Sequence, residues 1–313
     1  MSELLNTGAA SDVNIDGATA GGPPPVRTRG EIAKRGLTSP WASLVAVVLA
    51  VVWTIPTAGL LITSFRPALD INKTGWWTVF TNPDFTLDNY KQVLDTSQSS
   101  SLTPYLINSI VITIPAVLLP ILLACLAAYA FAWTKFKGRN VLFVAVFALQ
   151  VVPIQVTLLP LLTLYVKLNL NGTFWAIWLS HTMFGLPLAI FLLHNFMREI
   201  PGELIEAARV DGAGHVTIFF RMMLPMLKPA LAAFAIYQFL WVWNDLLVAL
   251  TFAGPGTATA PMTKFLFDLT GSRGNAWYLL SAGAFISMII PVIVFLSLQR
   301  YFVRGLLAGS VKG

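Results

Sequence analysis

Residues 105–133 read YLINSIVITIPAVLLPILLACLAAYAFAW, a run with no Asp, Glu, Lys or Arg in it. About 20 apolar residues in a helix cross the roughly 30 Å hydrocarbon core of a bilayer, and this run exceeds that length without interruption. No water reaches that depth to satisfy an open backbone, so the segment must bond within itself and is predicted to be a helix. Five more windows repeat the pattern: 41–63, 141–166, 173–197, 230–252 and 279–303. Two of them hold a formal charge, Asp245 in the fifth and Arg300 near the exit of the sixth. The expected fold is an all-α integral membrane protein of six transmembrane helices. Ten-residue alternations of apolar and polar residues, the mark of a membrane barrel, do not occur.

Composition agrees. The 313 residues are 56% hydrophobic and 11% charged, with mean hydropathy +0.73, where a soluble domain carries about a quarter charged residues. The net charge of +6 would suit nucleic acid in a soluble protein. Here the cations lie mostly in short segments between apolar runs, where they set topology instead. Fourteen of the 20 Lys and Arg fall on the side holding both termini and 198–228, six on the other. Both termini and that loop are therefore expected in the cytoplasm, and residues 64–104 outside. No nucleic-acid partner is expected; the lipid bilayer is.

Residues 1–40 hold Gly21-Gly22-Pro23-Pro24-Pro25 and no apolar run, so a disordered cytoplasmic tail is expected ahead of a six-helix membrane domain over 41–313. The first apolar stretch begins at Trp41 and is too long for a signal-peptide core. The 64–104 segment carries Trp76, Trp77 and Phe85-Thr86-Leu87-Asp88-Asn89-Tyr90. So many rings mean either a segment folded against the membrane or an external partner, or an interfacial aromatic belt. Pro56, Pro115, Pro120, Pro153, Pro160, Pro187 and Pro291 lie inside predicted spans, and each removes a backbone donor and bends its helix.

Catalytic equipment is missing. His181, His194 and His215 form no His-Glu-x-x-His arrangement, and the single Cys125 lies in an apolar run, where it reads as a small lipid- or helix-facing residue. No Gly-Lys dipeptide exists, so a phosphate-cradling Walker loop is excluded. His181 and His194 fall in the fourth span, where a satisfied packing histidine is the expected role. Asp245 is the lone carboxylate of a span and hence a functional candidate, although its place in the outer third is expected to bring it near water. Asn108, Gln155, Gln238 and Asn244 are the remaining polar candidates for a transport path, with simple bonding between helices as the alternative.

Residues 198–228 form a loop with its own pattern. Pro201 suits a helix start, and Glu199 and Glu203 suit its positive dipole end. Ile200, Leu204, Ala207 and Ala208 fall on one predicted helical stripe with Glu206 beside it, and Ala at 207 and 208 permits close approach by another surface. Gly212 then allows a left-handed or otherwise Cβ-intolerant turn. A bulky segment with Ile218, Phe219, Phe220, Met222 and Met223 follows, and Leu224-Pro225 is expected to stop it before the fifth span.

Glu206-Ala207-Ala208, Gly212 six residues after the Glu, and Leu224-Pro225 resemble the EAA loop of bacterial ABC importer permeases. The family has Ile two residues before the Leu, where this chain has Met222. Phe85–Tyr90, Asn108-Ser109, Asp211-Gly212-Ala213, Trp243-Asn244-Asp245 and the terminal Gly309-Ser310-Val311-Lys312-Gly313 are similar to the carbohydrate-uptake, maltose-type branch. The resemblance covers roughly residues 40–313 and implies a type I importer permease fold. It also implies a second related permease, two copies of a cytoplasmic ATPase, and an extracytoplasmic sugar-binding protein, in the bacterial cytoplasmic membrane.

ATP and Mg would be bound by the ATPase, and this chain is expected to hold no cofactor and catalyse nothing. Glu206, Ala207, Ala208, Asp211, Gly212, Leu224 and Pro225 are the implied coupling residues. A di- or oligosaccharide such as an α-glucoside is the implied cargo. Two alternatives stand beside this: a phosphorylated polyol as cargo, though no basic residue lies within a span to meet it, and an ion-coupled secondary transporter. The second needs midplane acids, often in two related halves, and one off-centre Asp fits poorly.

Overall fold

The computed structural model describes residues 40–97, 101–271 and 276–310, with side chains to residue 299. Of the tail predicted over 1–40, residues 1–39 lie outside the described residues, as does the terminal Val311-Lys312-Gly313, while Pro40 begins a helix. Two compact units divide between Pro56 and Thr57. In the first, the described residues are the start of helix α1 (Pro40–Ser64), exposed along 40–56.

In the second unit α1 runs to its end at Ser64, and the chain continues through α2 (Ala68–Lys73), a 3-10 turn (Trp76–Phe80) and α3 (Asp88–Leu94). Then come α4 (Thr103–Trp133), α5 (Arg139–Ala148) extended by a 3-10 turn to Val151, α6 (Ile154–Lys167) and α7 (Phe174–Arg198). The former loop holds α8 (Gly202–Val210), α9 (His215–Thr217), a π-helical stretch (Ile218–Met223) and α10 (Leu224–Met226). Helices α11 (Lys228–Trp243), α12 (Leu247–Phe252), α13 (Met262–Gly271) and α14 (Trp277–Ser310) complete the chain. No strand occurs among the described residues.

Among the described residues, four helices are each long and apolar enough to cross a bilayer: α1, α4, α7 and the 277–299 part of α14. Two bent pairs raise the number to six if each is one span. The first corrects the predicted continuous helix 141–166: Arg139–Val151 and Ile154–Lys167 meet at 100°. Pro153 offers no N–H and drives the residue before it out of the helical region; Val152 is extended, with φ −70° and ψ 120°. The second pair, His215–Met226 and Lys228–Trp243, bends by 69°. A straight run would need Pro229 to donate to Pro225 and would push its ring into that carbonyl, so the chain turns at Leu227.

The predicted fifth span 230–252 is also interrupted. Its helix ends at Trp243, Asn244–Leu246 break the axis, and α12 starts afresh at Leu247.

Among the described residues, three clusters of buried apolar side chains hold the bundle. One joins α4 (Ala124, Ala128, Phe131), α7 (Ala189, Leu193, Met197), α11 (Phe234) and the 200–227 segment. Another joins Ile112 and Ala116 to Leu158, Ile177 and Phe252. The last gathers Val93, Leu102, Trp243, Met262, Phe265 and Leu279. Small residues on α4 and α7 let the two axes approach, the usual way membrane helices pack where lipid is as apolar as their side chains. Cys125 is buried in the first cluster and faces helices, one of its two expected settings.

Candidate functional site

Helix α8 starts at Gly202, two residues past Ile200, with Pro201 as its N-cap. The apolar stripe also differs from the predicted one. Ile205 is 3% exposed and Leu204 43%, so Ile205 with the half-buried Ala208 makes the inward face, in place of Leu204 and Ala207. Glu203 in the first turn and Arg209 in the last complement the helix dipole.

The helix closes on a left-handed residue. Gly212 has φ +82°. Its N–H donates to the Arg209 carbonyl at 3.0 Å, and that of Ala213 reaches back to Ala208 at 2.9 Å. This pair of bonds is the Schellman motif, and Ala208 and Ala213, at either end of the longer bond, both pack against the first core cluster.

Beyond the turn, His215 Nδ1 and the Tyr129 hydroxyl of α4 share a hydrogen bond of 2.9 Å. The π-helical turn then points Ile218, Phe219 and Met223 into the core cluster with Tyr129, Ala128 and Leu193. Such widened turns occur mostly as single insertions and often at functional sites. The segment is thus a helix–turn–helix fastened along one side to the ends of α4 and α7. Glu206, Ala207, Asp211 and Gly212 are exposed on the other side, along with Pro225. Leu224 is half-buried, and Leu224-Pro225 does not stop the segment as predicted: helix α10 runs on through Met226 and the break comes at Leu227.

The five polar candidates within the spans separate into three settings. Gln238 is fully buried, and its Nε2 donates to the carbonyls of Ala116 at 3.2 Å and His181 at 3.3 Å, joining α4, α7 and α11. It fits because residue 185 is Gly: a Cβ there would lie 2.6 Å from Gln238 Oε1. Asn108 donates to the carbonyls of Thr257 at 2.6 Å and Ala260 at 3.0 Å, and its neighbour Ser109 accepts the Met262 N–H. Both amides bond between segments, the alternative weighed from sequence.

Gln155 is exposed and lines a cavity of about 930 Å³ with Gln150, Thr157, Pro153, Met183 and Pro187. The 100° break between α5 and α6 opens this cleft against the middle of α7.

Asn244 and Asp245 occupy the break after α11. The water-facing position expected for Asp245 is not found. Its side chain is 11% exposed, its Oδ2 accepts the Val248 amide at 2.9 Å, and that oxygen stands 3.9 Å from His181 Nε2. The carboxylate therefore caps α12 and faces a buried imidazole. Nor is His181 the satisfied histidine expected; its Nδ1, like that of His194, has no hydrogen-bond partner among the described residues. The juxtaposition of His181 and Asp245 went unread, although one acid and one base in adjacent predicted spans were the available signal.

Apolar helices of spanning length, joined by a polar-tipped helical segment fastened to their ends, define a multi-spanning membrane protein. Residues 117–307 match the family described as "Binding-protein-dependent transport system inner membrane component", and the chain belongs to that family. It is 54% identical over 270 residues to the osmoprotective compounds uptake permease protein GgtD of Synechocystis sp., covering 85% of this chain and 90% of that one. With the alpha-glucoside transport system permease protein AglG of Rhizobium meliloti it shares 51% over 248 residues, 76% of this chain and 63% of that one. An arabinooligosaccharides transport system permease protein of Halalkalibacterium halodurans is 35% identical over 266 residues, 85% of this chain and 93% of its own. The fold matches a subunit in the crystal structure of a bacterial ABC transporter involved in the import of alginate. The TM-score is 0.69 at 18% identity, over 89% of this chain and 99% of that one. The chain is an ABC transporter permease.

Proposed function

We propose that this permease is one of two membrane subunits of an ATP-driven, binding-protein-dependent importer of a di- or oligosaccharide of the α-glucoside class. In this reading six spans cross the bacterial cytoplasmic membrane with both termini inside. Residues 198–228 are the EAA coupling loop, and two copies of a cytoplasmic ATPase bind the ATP and Mg. A second permease and an external sugar-binding protein complete the assembly. The single observation that supports the coupling role is the one-sided fastening of α8. Ile205, Ile218, Phe219 and Met223 lock it to α4 and α7, while Glu206, Ala207, Asp211 and Gly212 stay exposed.

A push on that exposed side is transmitted to the helix ends because the packed interface resists deformation. Glu206 and Asp211 supply carboxylates for charge-assisted bonds to a basic groove, and Ala207 lets the partner's backbone approach. Within the membrane, Gln155 lines the 930 Å³ cleft at the α5–α6 break, which in this reading a second subunit covers to close a path. Asn244 and Asp245 sit at the hinge-like break after α11. A sugar cargo is supported by relatives named for alpha-glucoside and arabinooligosaccharide transport. The test is uptake of radiolabelled maltose, trehalose and sucrose by proteoliposomes holding the whole assembly. ATP-dependent uptake of at least one α-glucoside is expected. Uptake that needs an ion gradient and no ATPase would overturn the reading.

A further inference from the structure

The segment between α1 and α4 leaves the end of α1, passes α2, and then comes back beside the helix it left. Trp76 marks how far. Its indole lies against Gly59 so closely that a Cβ there would stand 2.8 Å from the indole Nε1. Gly59 is five residues before the end of α1 at Ser64, a drop of about 7.5 Å along the axis at 1.5 Å per residue. Helix α1 is uncharged through its last residue, Ser64, so the hydrocarbon boundary lies near that end and Trp76 lies at or below it.

What the turn presents at this depth is apolar. Val79 is buried inward, while Trp77 is 62% and Phe80 79% exposed. From Thr74 to Pro83 the sequence holds no charged residue. The turn is also held rigidly. Arg66, only 2% exposed, donates from Nη1 to the Gly75 carbonyl at 2.7 Å and from Nη2 to Thr74 Oγ1 at 3.2 Å. Asn89 ties the same node, donating to the carbonyls of Ser64 and Arg66 at 2.9 and 2.8 Å.

We propose that Trp76–Phe80 is an interfacial anchor whose exposed Trp77 and Phe80 insert among lipids at the C-terminal end of α1. Under the topology given above this is the outer leaflet. Trp and other rings with an apolar body prefer that zone, and a water-soluble partner reaching the level of Gly59 would have to enter it too. The anchor fixes the height of the α2–α3 cap over the membrane, and Arg66 carries that constraint from the turn to the end of α1.

Single cysteines placed at Trp77 and at Phe80 in a Cys125→Ala background, labelled with NBD in the full assembly in nanodiscs, test this. A third label at Thr81, which is exposed and leaves both rings in place, guards against loss of the turn itself. Lipids carrying doxyl near the headgroup are expected to remove most of the emission at all three sites, and aqueous iodide little of it. A label at exposed Asp84 should show the reverse. Iodide quenching at Thr81, quenching by neither agent, or shielding of the sites on adding the external binding protein would each overturn the anchor, the last in favour of a protein surface.

Discussion

Gly212 shows what a single residue decides. Its φ of +82° is a region that side-chain-bearing residues rarely enter, yet a Cβ built there meets nothing within 4 Å. The demand is conformational, so Gly212→Val should cost on the order of 1–3 kcal/mol at the turn without disturbing the core beneath. Normal membrane abundance, little sugar uptake and weakened retention of the ATPase on co-purification are expected. Gly212→Asn should fall between Val and Gly, because Asn tolerates the left-handed region. Glu206→Lys, which leaves the backbone alone, should lose uptake by reversing a contact charge. Wild-type uptake with both Gly212→Val and Glu206→Lys would remove the basis for the coupling role.

Gly185 makes the opposite demand, for space. Gly185→Ala would press a methyl against Gln238 and should destabilise by roughly 1–3 kcal/mol. Adding Gln238→Ala should restore part of that, so the pair is less than additive in thermal unfolding of purified protein. The left-handed turn at Gly212 could be read from sequence, since Gly after an amphipathic run is a helix-end signal. The Gly185–Gln238 contact could not, because nothing local links positions on two different helices.

Among the elements, the break after α11 separates reading from outcome. Periodicity predicts one helix over 230–252, since Trp243-Asn244-Asp245 interrupts hydropathy by two residues only. The chain instead ends α11 at Trp243, anchors that indole on the Ser287 carbonyl of α14 at 3.2 Å, and restarts at α12 under the Asp245 cap. Asp245→Ala removes the cap and should cost about 0.5–2 kcal/mol. Asp245→Asn keeps an acceptor oxygen and should retain most of the stability. A large loss of transport by Asn with unfolding temperature unchanged would place the carboxylate's charge, facing His181, in the transport cycle itself. Melting curves and uptake on both variants separate these outcomes. Helix α8 teaches the converse lesson: its existence and amphipathic character were legible, and its inward face, on Ile205 in place of Leu204, was not.

For the whole molecule the testable quantity is sidedness. A cysteine at Ser99, which lies outside the described residues, should react with an impermeant maleimide from the outside in a Cys125-free background. Val210→Cys, at the exposed end of α8, should react only after permeabilisation. The opposite pattern would invert the topology and with it the assignment of the 198–228 segment to the ATPase side.

Sequence alone determined that the chain is helical and membrane-embedded, because a bilayer interior imposes length, apolarity and internal backbone bonding on every spanning segment. It also marked the 198–228 segment, whose Glu206-Ala207-Ala208 and Gly212 are read at fixed local spacing. Tertiary structure decided which prolines break a span, since Pro153 divides α5 from α6 at 100° while Pro115, Pro120 and Pro187 remain inside continuous helices. It also decided which polar groups meet: His181 with Asp245, Gln238 with the carbonyls of Ala116 and His181, Arg66 with the turn that carries Trp77. Those outcomes depend on atoms brought together from distant parts of the chain. A proline's missing bond or a buried amide's stability is set by what packs beside it, and that is fixed only when the helices are in place.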